Sequence, residues 1–370
     1  MLVGIVALAV LLLAYSNGAN DNFKGVATLF GSGSTDYHRA LAWATATTLF
    51  GSLTAVLLAG QLLRSFTGKG LVDDALVANA DYTAAIALGS GLTVLLATRI
   101  GMPISTTHSI VGALLGAGIA AGSTISLTQL TSVFFVPLLA SPLVALLSTV
   151  VVYPLLRTAR QRFGISAETC LCVGNQVLET MPAANHCVAL ERAEQLTIQL
   201  GNRVTCQNTY QGRVLGIEAK GLLDGLHFLS AGAVSFARGL NDTPKIAALL
   251  LVVPLFSGSS GTIIVGMAIA LGGILNARRV ADTMSHRITA MNHGQGFTAN
   301  LVTSVIVIGA SRLGMPVSTT HVSCGALFGI GTITGQARWR TIGRILMAWV
   351  TTLPLGAALG ATTFLAIRCF

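Results

Sequence analysis

RIGMPISTTH, at Arg99 to His108, returns as RLGMPVSTTH at Arg312 to His321, with eight of ten positions identical and the other two exchanged among Ile, Leu and Val. A second phrase is also paired, GANDNFKG at Gly18 to Gly25 and GLNDTPKI at Gly239 to Ile246. Asp21 and Asp242 stand 221 positions apart, and His108 and His321 stand 213 apart. Two phrases repeated in one order at nearly one spacing mark a duplicated unit the size of a half-domain, far longer than a solenoid repeat.

Composition fixes the solvent around that unit. Of 370 residues, 53% are hydrophobic and 9% charged, with 41 glycines and a mean hydropathy of +0.74. A soluble domain carries about 25% charged residues. Long apolar runs with so few charges predict a polytopic membrane protein. The formal charge of +9 comes without a basic aromatic cluster, so nucleic acid is not expected as a partner. Lys and Arg gathered in cytoplasmic loops account for it. The N-terminal apolar run has no basic stretch before it and leads directly into GAND; it reads as a retained first helix, not a signal peptide.

Apolar stretches fall into five per half, at roughly 2 to 30, 40 to 63, 80 to 98, 104 to 120 and 128 to 156, then 224 to 253, 257 to 280, 296 to 311, 317 to 335 and 341 to 367. The expected fold is an all-α polytopic membrane protein. An odd number of crossings per half would invert the second half, giving two inverted-topology repeats, 1–156 and 223–370, with broken helices and re-entrant helical hairpins. The breaks are expected inside SNGAND and ARGLND, and the hairpins at the short segments that open with Pro103 and Pro316.

Loops carrying Arg157, Arg160 and Arg162, then Arg278, Arg279 and Arg287, then Arg338, Arg340 and Arg344 alternate with uncharged ones. That pattern puts both termini outside and the central segment in the cytoplasm, in a plasma (inner) membrane. The segment 157–222 reads as a small linker or insert, with strand-like alternation in LTIQLGN and GRVLGIEA. Its Cys170, Cys172, His186, Cys187 and Cys206 match no zinc-knuckle spacing, and reduced, unliganded thiols are expected.

Chemistry concentrates in the paired phrases. A carboxylate halfway along an apolar helix costs roughly 2.5–3.5 kcal/mol. Asp21 and Asp242 therefore imply ion coordination, proton transfer, or pairing with Lys24 and Lys245 three positions on. Asn20 and Asn241 add amide oxygens suited to a hard cation, while Gly18 and Gly239 would let the helix unwind and expose carbonyls. Asn20, Asp21, Asn241 and Asp242 are thus the candidate metal ligands.

The Ser-Thr-Thr triplets suit the opposite charge. Ser105, Thr106 and Thr107, with Ser318, Thr319 and Thr320, follow a proline at the start of a short helix. Free N–H groups, the positive end of the helix dipole and the hydroxyls can there hold a tetrahedral oxyanion, although capping alone accounts for any one of them. His108 and His321 are candidates for ion coupling near neutral pH, or each holds a hairpin tip by one fixed hydrogen bond. Neither a clear nucleophile nor an HExxH spacing accompanies them, so an enzyme is not expected.

GANDNFKG, MPISTTHSIVGALLG, GLNDTPK and MPVSTTHVSCGALFGIG resemble the signatures of the inorganic phosphate transporter (PiT) family, sodium- or proton-coupled phosphate permeases. The resemblance covers both halves and leaves mainly 157 to 222 outside. It implies secondary active transport of inorganic phosphate by alternating access at the repeat interface. The Asn-Asp and Ser-Thr-Thr positions would form central phosphate and cation sites, and QGFTAN would bring Asn300 to them. One departure matters: many members carry Asn three positions after the motif Asp, where both copies here carry Lys. An ammonium beside a prospective sodium site can replace the cation's charge, which adds Lys24 and Lys245 to the candidate substrate-binding residues and turns the expectation towards H+ while leaving Na+ open. Sulfate or a related oxyanion is the alternative cargo, and a passive anion channel the alternative of another class. No cofactor is expected beyond a coupling ion such as Na+. Membrane lipid is the expected partner of the apolar surface, which is compatible with a homodimer without requiring one.

Overall fold

A computed structural model of the chain describes residues 2–166, 169–177, 194–202, 217–256 and 259–369. Ten long helices carry the described residues: α1 Leu2–Asp21, α2 Tyr37–Leu58, α3 Ala80–Arg99, α4 Thr106–Ala120, α5 Val136–Arg162, α6 Ala219–Ala247, α7 Ser259–Asn276, α8 His293–Arg312, α9 Thr319–Thr334 and α10 Trp339–Arg368. Their ends follow local chemistry. Asp36 accepts from the Arg39 amide at 3.0 Å to start α2, Asn292 and Gln295 form a capping box on α8, and Gly335 closes α9 with φ +69.

The all-α membrane body is the fold the sequence predicts. Six helical spans, Val3–Gly25, Tyr37–Leu58, Ala80–Arg99, Leu127–Arg162, Ser259–Asn276 and Trp339–Arg368, are long and apolar enough to cross a membrane. The outward faces of α2 and α10 are apolar, with Leu57 83% and Val350 71% exposed. A surface of that kind faces lipid, and the protein is an integral membrane protein. Helix α4 has 15 residues, about 22 Å at 1.5 Å per residue, short of the ~30 Å hydrocarbon core.

Helix α1 packs between α3 and α7, and α10 lies across α3 and α4, so elements from the two halves of the sequence share one body. Close approach needs glycine. A Cβ on Gly18 would stand 1.8 Å from the Ile269 carbonyl oxygen, and one on Gly272 would stand 1.9 Å from that of Tyr15. This corrects one expectation. The chain does not unwind inside SNGAND or ARGLND: α1 stays helical to Asp21 and then tightens into a 3-10 turn at Asn22–Gly25, while α6 runs through the second phrase to Ala247. Gly18 and Gly239 serve packing instead; at Gly239 the Thr48 carbonyl oxygen leaves only 2.2 Å for a Cβ.

A second compact unit, Pro154–Leu226, is distinct from the membrane body. It holds a three-stranded antiparallel sheet, in which β1 Thr169–Val177 lies between β2 Glu194–Asn202 and β3 Ile217–Glu218, with Thr169 opposite Asn202. The alternation in LTIQLGN thus belongs to a strand. Cys170 and Cys172 are on β1, whereas His186, Cys187 and Cys206 lie outside the described residues.

Candidate functional site

Both hairpins, α3 with α4 and α8 with α9, turn by the same device. Gly101 and Gly314 have φ +71 and +70, and the next amides, of Met102 and Met315, reach back to the carbonyls of Ala97 and Ala310, each at 2.9 Å. That is a Schellman ending, which needs the left-handed backbone glycine supplies. Pro103 and Pro316 then sit in the extended tip, two residues ahead of the capping serine, and not in the first helical turn. From Pro103 to Ser105 and from Pro316 to Ser318 each tip is buried, so its irregular backbone is covered by protein.

The three hydroxyls of each triplet point to three different partners, because successive residues at a helix start are rotated by about 100°. Ser105 and Ser318 are N-caps, accepting from the amides of His108 and His321 at 3.1 and 3.3 Å. Thr106 and Thr319 donate to the carboxylates of their own halves, Asp21 at 3.2 Å and Asp242 at 3.3 Å. Thr107 and Thr320 cross over, and each accepts from the lysine of the other half.

Lys24 Nζ donates to Asp21 Oδ1, to Asn20 Oδ1 at 2.8 Å, to the Ile104 carbonyl at 2.9 Å and to Thr320 Oγ1 at 2.7 Å. Lys245 Nζ donates to the Val317 carbonyl at 2.6 Å and to Thr107 Oγ1 at 2.9 Å, and stands 3.5 Å from Asp242 Oδ1. The equivalent asparagines make related but not identical contacts. Asn20 donates to Thr98 and to the Met102 carbonyl; Asn241 donates to Val317 and to Asp242 and accepts from Ser311 at 3.2 Å. All of these side chains are buried, with Asp21 1%, Lys24 4%, Asp242 4% and Lys245 1% exposed. Each ammonium is thus held by an array of oxygens of the kind that binds an alkali cation.

The remaining candidates stand around this cluster. The His108 and His321 rings face each other with centroids 4.5 Å apart; His108 Nδ1 lies 3.0 Å from Ser105 Oγ, and His321 stacks on Trp349 at 3.8 Å. Asn300 makes no direct bond to either motif aspartate or lysine among the described contacts. It pairs with Thr28, donating at 2.8 Å, and His227 Nε2 is 3.1 Å from the same Thr28 hydroxyl. Asn300, Thr28 and Lys24 line a chamber of about 10 Å³, no larger than one water.

Two residues inside the cluster escaped the sequence reading. Asn17 donates to Asp21 Oδ2 and to Thr106 Oγ1, each at 3.0 Å, and Arg238 is buried one turn before Asp242. Laying the halves over one another at the aspartate spacing pairs these two positions, a signal the sequence does hold.

The phosphate transporter family matches residues 17–360. The chain is 27% identical to the "Probable low-affinity inorganic phosphate transporter" of Rhizobium meliloti, over 99% of this chain and 96% of that one. It is also 27% identical to the chloroplastic inorganic phosphate transporter 2-1 of Arabidopsis thaliana, over 94% of this chain and 69% of that one. A solved structure, "The sodium-dependent phosphate transporter", is similar with a TM-score of 0.74 at 19% identity, covering 100% of this chain and 99% of that chain, a likeness of fold.

Proposed function

The chain belongs to the phosphate transporter family, and on that premise we propose that it is a secondary transporter moving inorganic phosphate across the plasma (inner) membrane with a coupled proton. The observation that carries the choice of ion is Lys24 Nζ, which is surrounded by oxygens of Asn20, Asp21, Ile104 and Thr320. An ammonium that fills the oxygen array supplies the charge Na+ would bring, so the inward driving force falls to the proton. Na+ coupling requires each lysine to leave its oxygens first.

The cargo is read from the opposite sign. Phosphate arrives bearing a proton it can donate, and Asp21 and Asp242 lie beside the threonine hydroxyls as acceptors. Sulfate carries no such proton at neutral pH, and a site built around hydrogen-bond acceptors rejects the analogue that lacks the donor. In this reading the Ser-Thr-Thr helix starts hold the oxyanion, Asp21 and Asp242 carry the coupled proton, and the facing imidazoles of His108 and His321 relay it. The two halves act as inverted repeats that rock about the cluster by alternating access, with both termini outside and 157–222 cytoplasmic.

Uptake of labelled phosphate into proteoliposomes tests this, with pH and Na+ gradients imposed separately. Uptake driven by an inward proton gradient in Na+-free buffer is the expected result. Uptake that needs Na+ and ignores pH would overturn the coupling, and equal competition by sulfate would overturn the specificity.

A further inference from the structure

Among the cluster's paired positions, one pair differs in charge between the two halves. In the first, Asn17 precedes Asp21 by one helical turn and donates to both Asp21 and Thr106. Its counterpart 221 residues on is Arg238, one turn before Asp242 on α6. Arg238 is 1% exposed, and its Nε, Nη1 and Nη2 have no hydrogen-bond partner among the described residues. Its charge interacts with both Asp242 and Asp21, so the guanidinium lies within the field of the two carboxylates while bonding to neither.

Such a group has few physical explanations. A guanidinium holds five N–H donors in a planar fork and stays charged at any physiological pH. Buried without acceptors, it is one of the least favourable side chains a protein can carry, and each such case asks for a ligand or another compensating group. Charge balance points the same way. The buried Asp, Lys and Arg side chains among the described residues are Asp21, Lys24, Arg238, Asp242 and Lys245. Lys24 is paired with Asp21 and Lys245 with Asp242, which leaves the charge of Arg238 unmatched.

We infer that Arg238 is the residue that reads the substrate: its fork binds two oxygens of the entering phosphate, and its unmatched charge selects a cargo that enters with one net negative charge. Dihydrogen phosphate satisfies this, as does monohydrogen phosphate accompanied by its coupled proton. Sulfate reaches that net charge only with a proton on Asp21 or Asp242, and it brings those carboxylates no donor of its own. Because the first half has Asn17 in the equivalent place, the fork also fixes one orientation of the anion in an otherwise two-fold site. This inference rests on the phosphate reading above and adds the residue that confers it.

The test uses the full chain with Arg238→Gln and Arg238→Lys. Phosphate uptake into proteoliposomes is measured under a fixed inward proton gradient, and thermal unfolding in detergent is measured with and without inorganic phosphate. Arg238→Gln is expected to raise the phosphate KM by at least about tenfold, the effect of losing charge-assisted hydrogen bonds. Its unfolding midpoint without phosphate should equal or exceed that of the wild type, because an unpaired buried charge is gone, and the rise that phosphate gives the wild type should vanish. Arg238→Lys keeps the charge but not the fork and should fall between. A wild-type KM in Arg238→Gln, or a lowered midpoint without phosphate, overturns the inference. A wild-type protein that takes up no phosphate under any gradient sinks the phosphate reading together with it, whereas normal wild-type uptake beside an unaffected Arg238→Gln sinks the inference alone.

Discussion

Replacing Lys24 by methionine removes one charge with little change of volume, and the damage can be followed oxygen by oxygen. Nζ has four oxygen partners. The Ile104 carbonyl still accepts from Thr320 at 2.8 Å, and Asn20 Oδ1 still accepts from the Ile104 amide at 3.2 Å. Asp21 Oδ2 keeps Asn17 and Thr106. Thr320 Oγ1 loses the donor it accepts from but keeps the bond it gives to Ile104, so Asp21 Oδ1 alone is left with no hydrogen bond. Removing one partner of a buried ion pair destabilises by about 3–5 kcal/mol. At roughly 2 °C per kcal/mol for a large domain, the unfolding midpoint in detergent falls by about 6–10 °C. Two additions should reverse this. Asp21→Asn in the same chain removes the orphaned charge, so the double variant should recover most of the loss and depart from additivity by about 1–3 kcal/mol. Na+ can bind the freed oxygens and should stabilise Lys24→Met by up to about 3 kcal/mol at a hundred times its Kd, raising its midpoint above that in choline chloride of equal ionic strength while leaving the wild type unmoved. Melts of the four chains in both salts read all of this. A Lys24→Met protein that melts with the wild type, or a double variant that loses the sum of both single losses, would refute the ammonium as the group that satisfies Asp21.

Thr107→Val and Thr320→Val each remove one hydroxyl that accepts from the opposite lysine, at 2.9 and 2.7 Å; each should lower stability by about 1 kcal/mol and raise the phosphate KM, with matching effects in melts and uptake. Gly18→Ala places a Cβ 1.8 Å from the Ile269 carbonyl oxygen and should abolish the monodisperse folded protein on size-exclusion in detergent, whereas Gly4→Ala, with nothing within 4 Å, should elute as the wild type. Hydrogen bonds from the Ser123 and Thr124 hydroxyls, both 2.9 Å, hold the Asp73 carboxyl below its usual range. Because the folded value is the lower one, this contact is present above the ordinary carboxylate pKa of about 4 and is lost as pH falls through the folded value. Protection from hydrogen exchange at residues 123 and 124, relative to the intrinsic rate at each pH, should fall there, and Asp73→Asn should remove that fall.

The length of the apolar runs and the polar breaks between them carried most of the fold. The ten apolar stretches became ten helices because Asp36, Asn79 and Asn292 cap where the stretches begin and Gly101, Gly314 and Gly335 turn the chain where they end. The motif glycines could not be read so simply. A glycine that lets a helix unwind and one that lets a neighbour's backbone approach both need the same absence of a Cβ, and only the position of Ile269 or Thr48 decides between them. The triplets were legible as hydroxyls at a helix start, but not as cap, carboxylate partner and lysine partner, because that division depends on which side of the helix faces which segment.

The exchange between halves is the feature that no local reading reaches, since Lys24 meets Thr320 across 296 positions and Lys245 meets Thr107 across 138. Each lysine is anchored by a carbonyl of its own half's tip, Ile104 or Val317, and by one hydroxyl from the other. Any motion that separates the two tips must therefore break both crossed lysine bonds, and the Thr320–Ile104 bond with them, and leave two ammoniums facing a gap. An oxyanion entering that gap restores the lost acceptors on both sides at once and brings negative charge to the two ammoniums; a lone cation does neither, and water supplies acceptors without charge. On the proposed function, separation of the halves and occupancy by an anion would in this way favour one another, and the reciprocity follows from duplication: once one copy reaches across, the other reaches back.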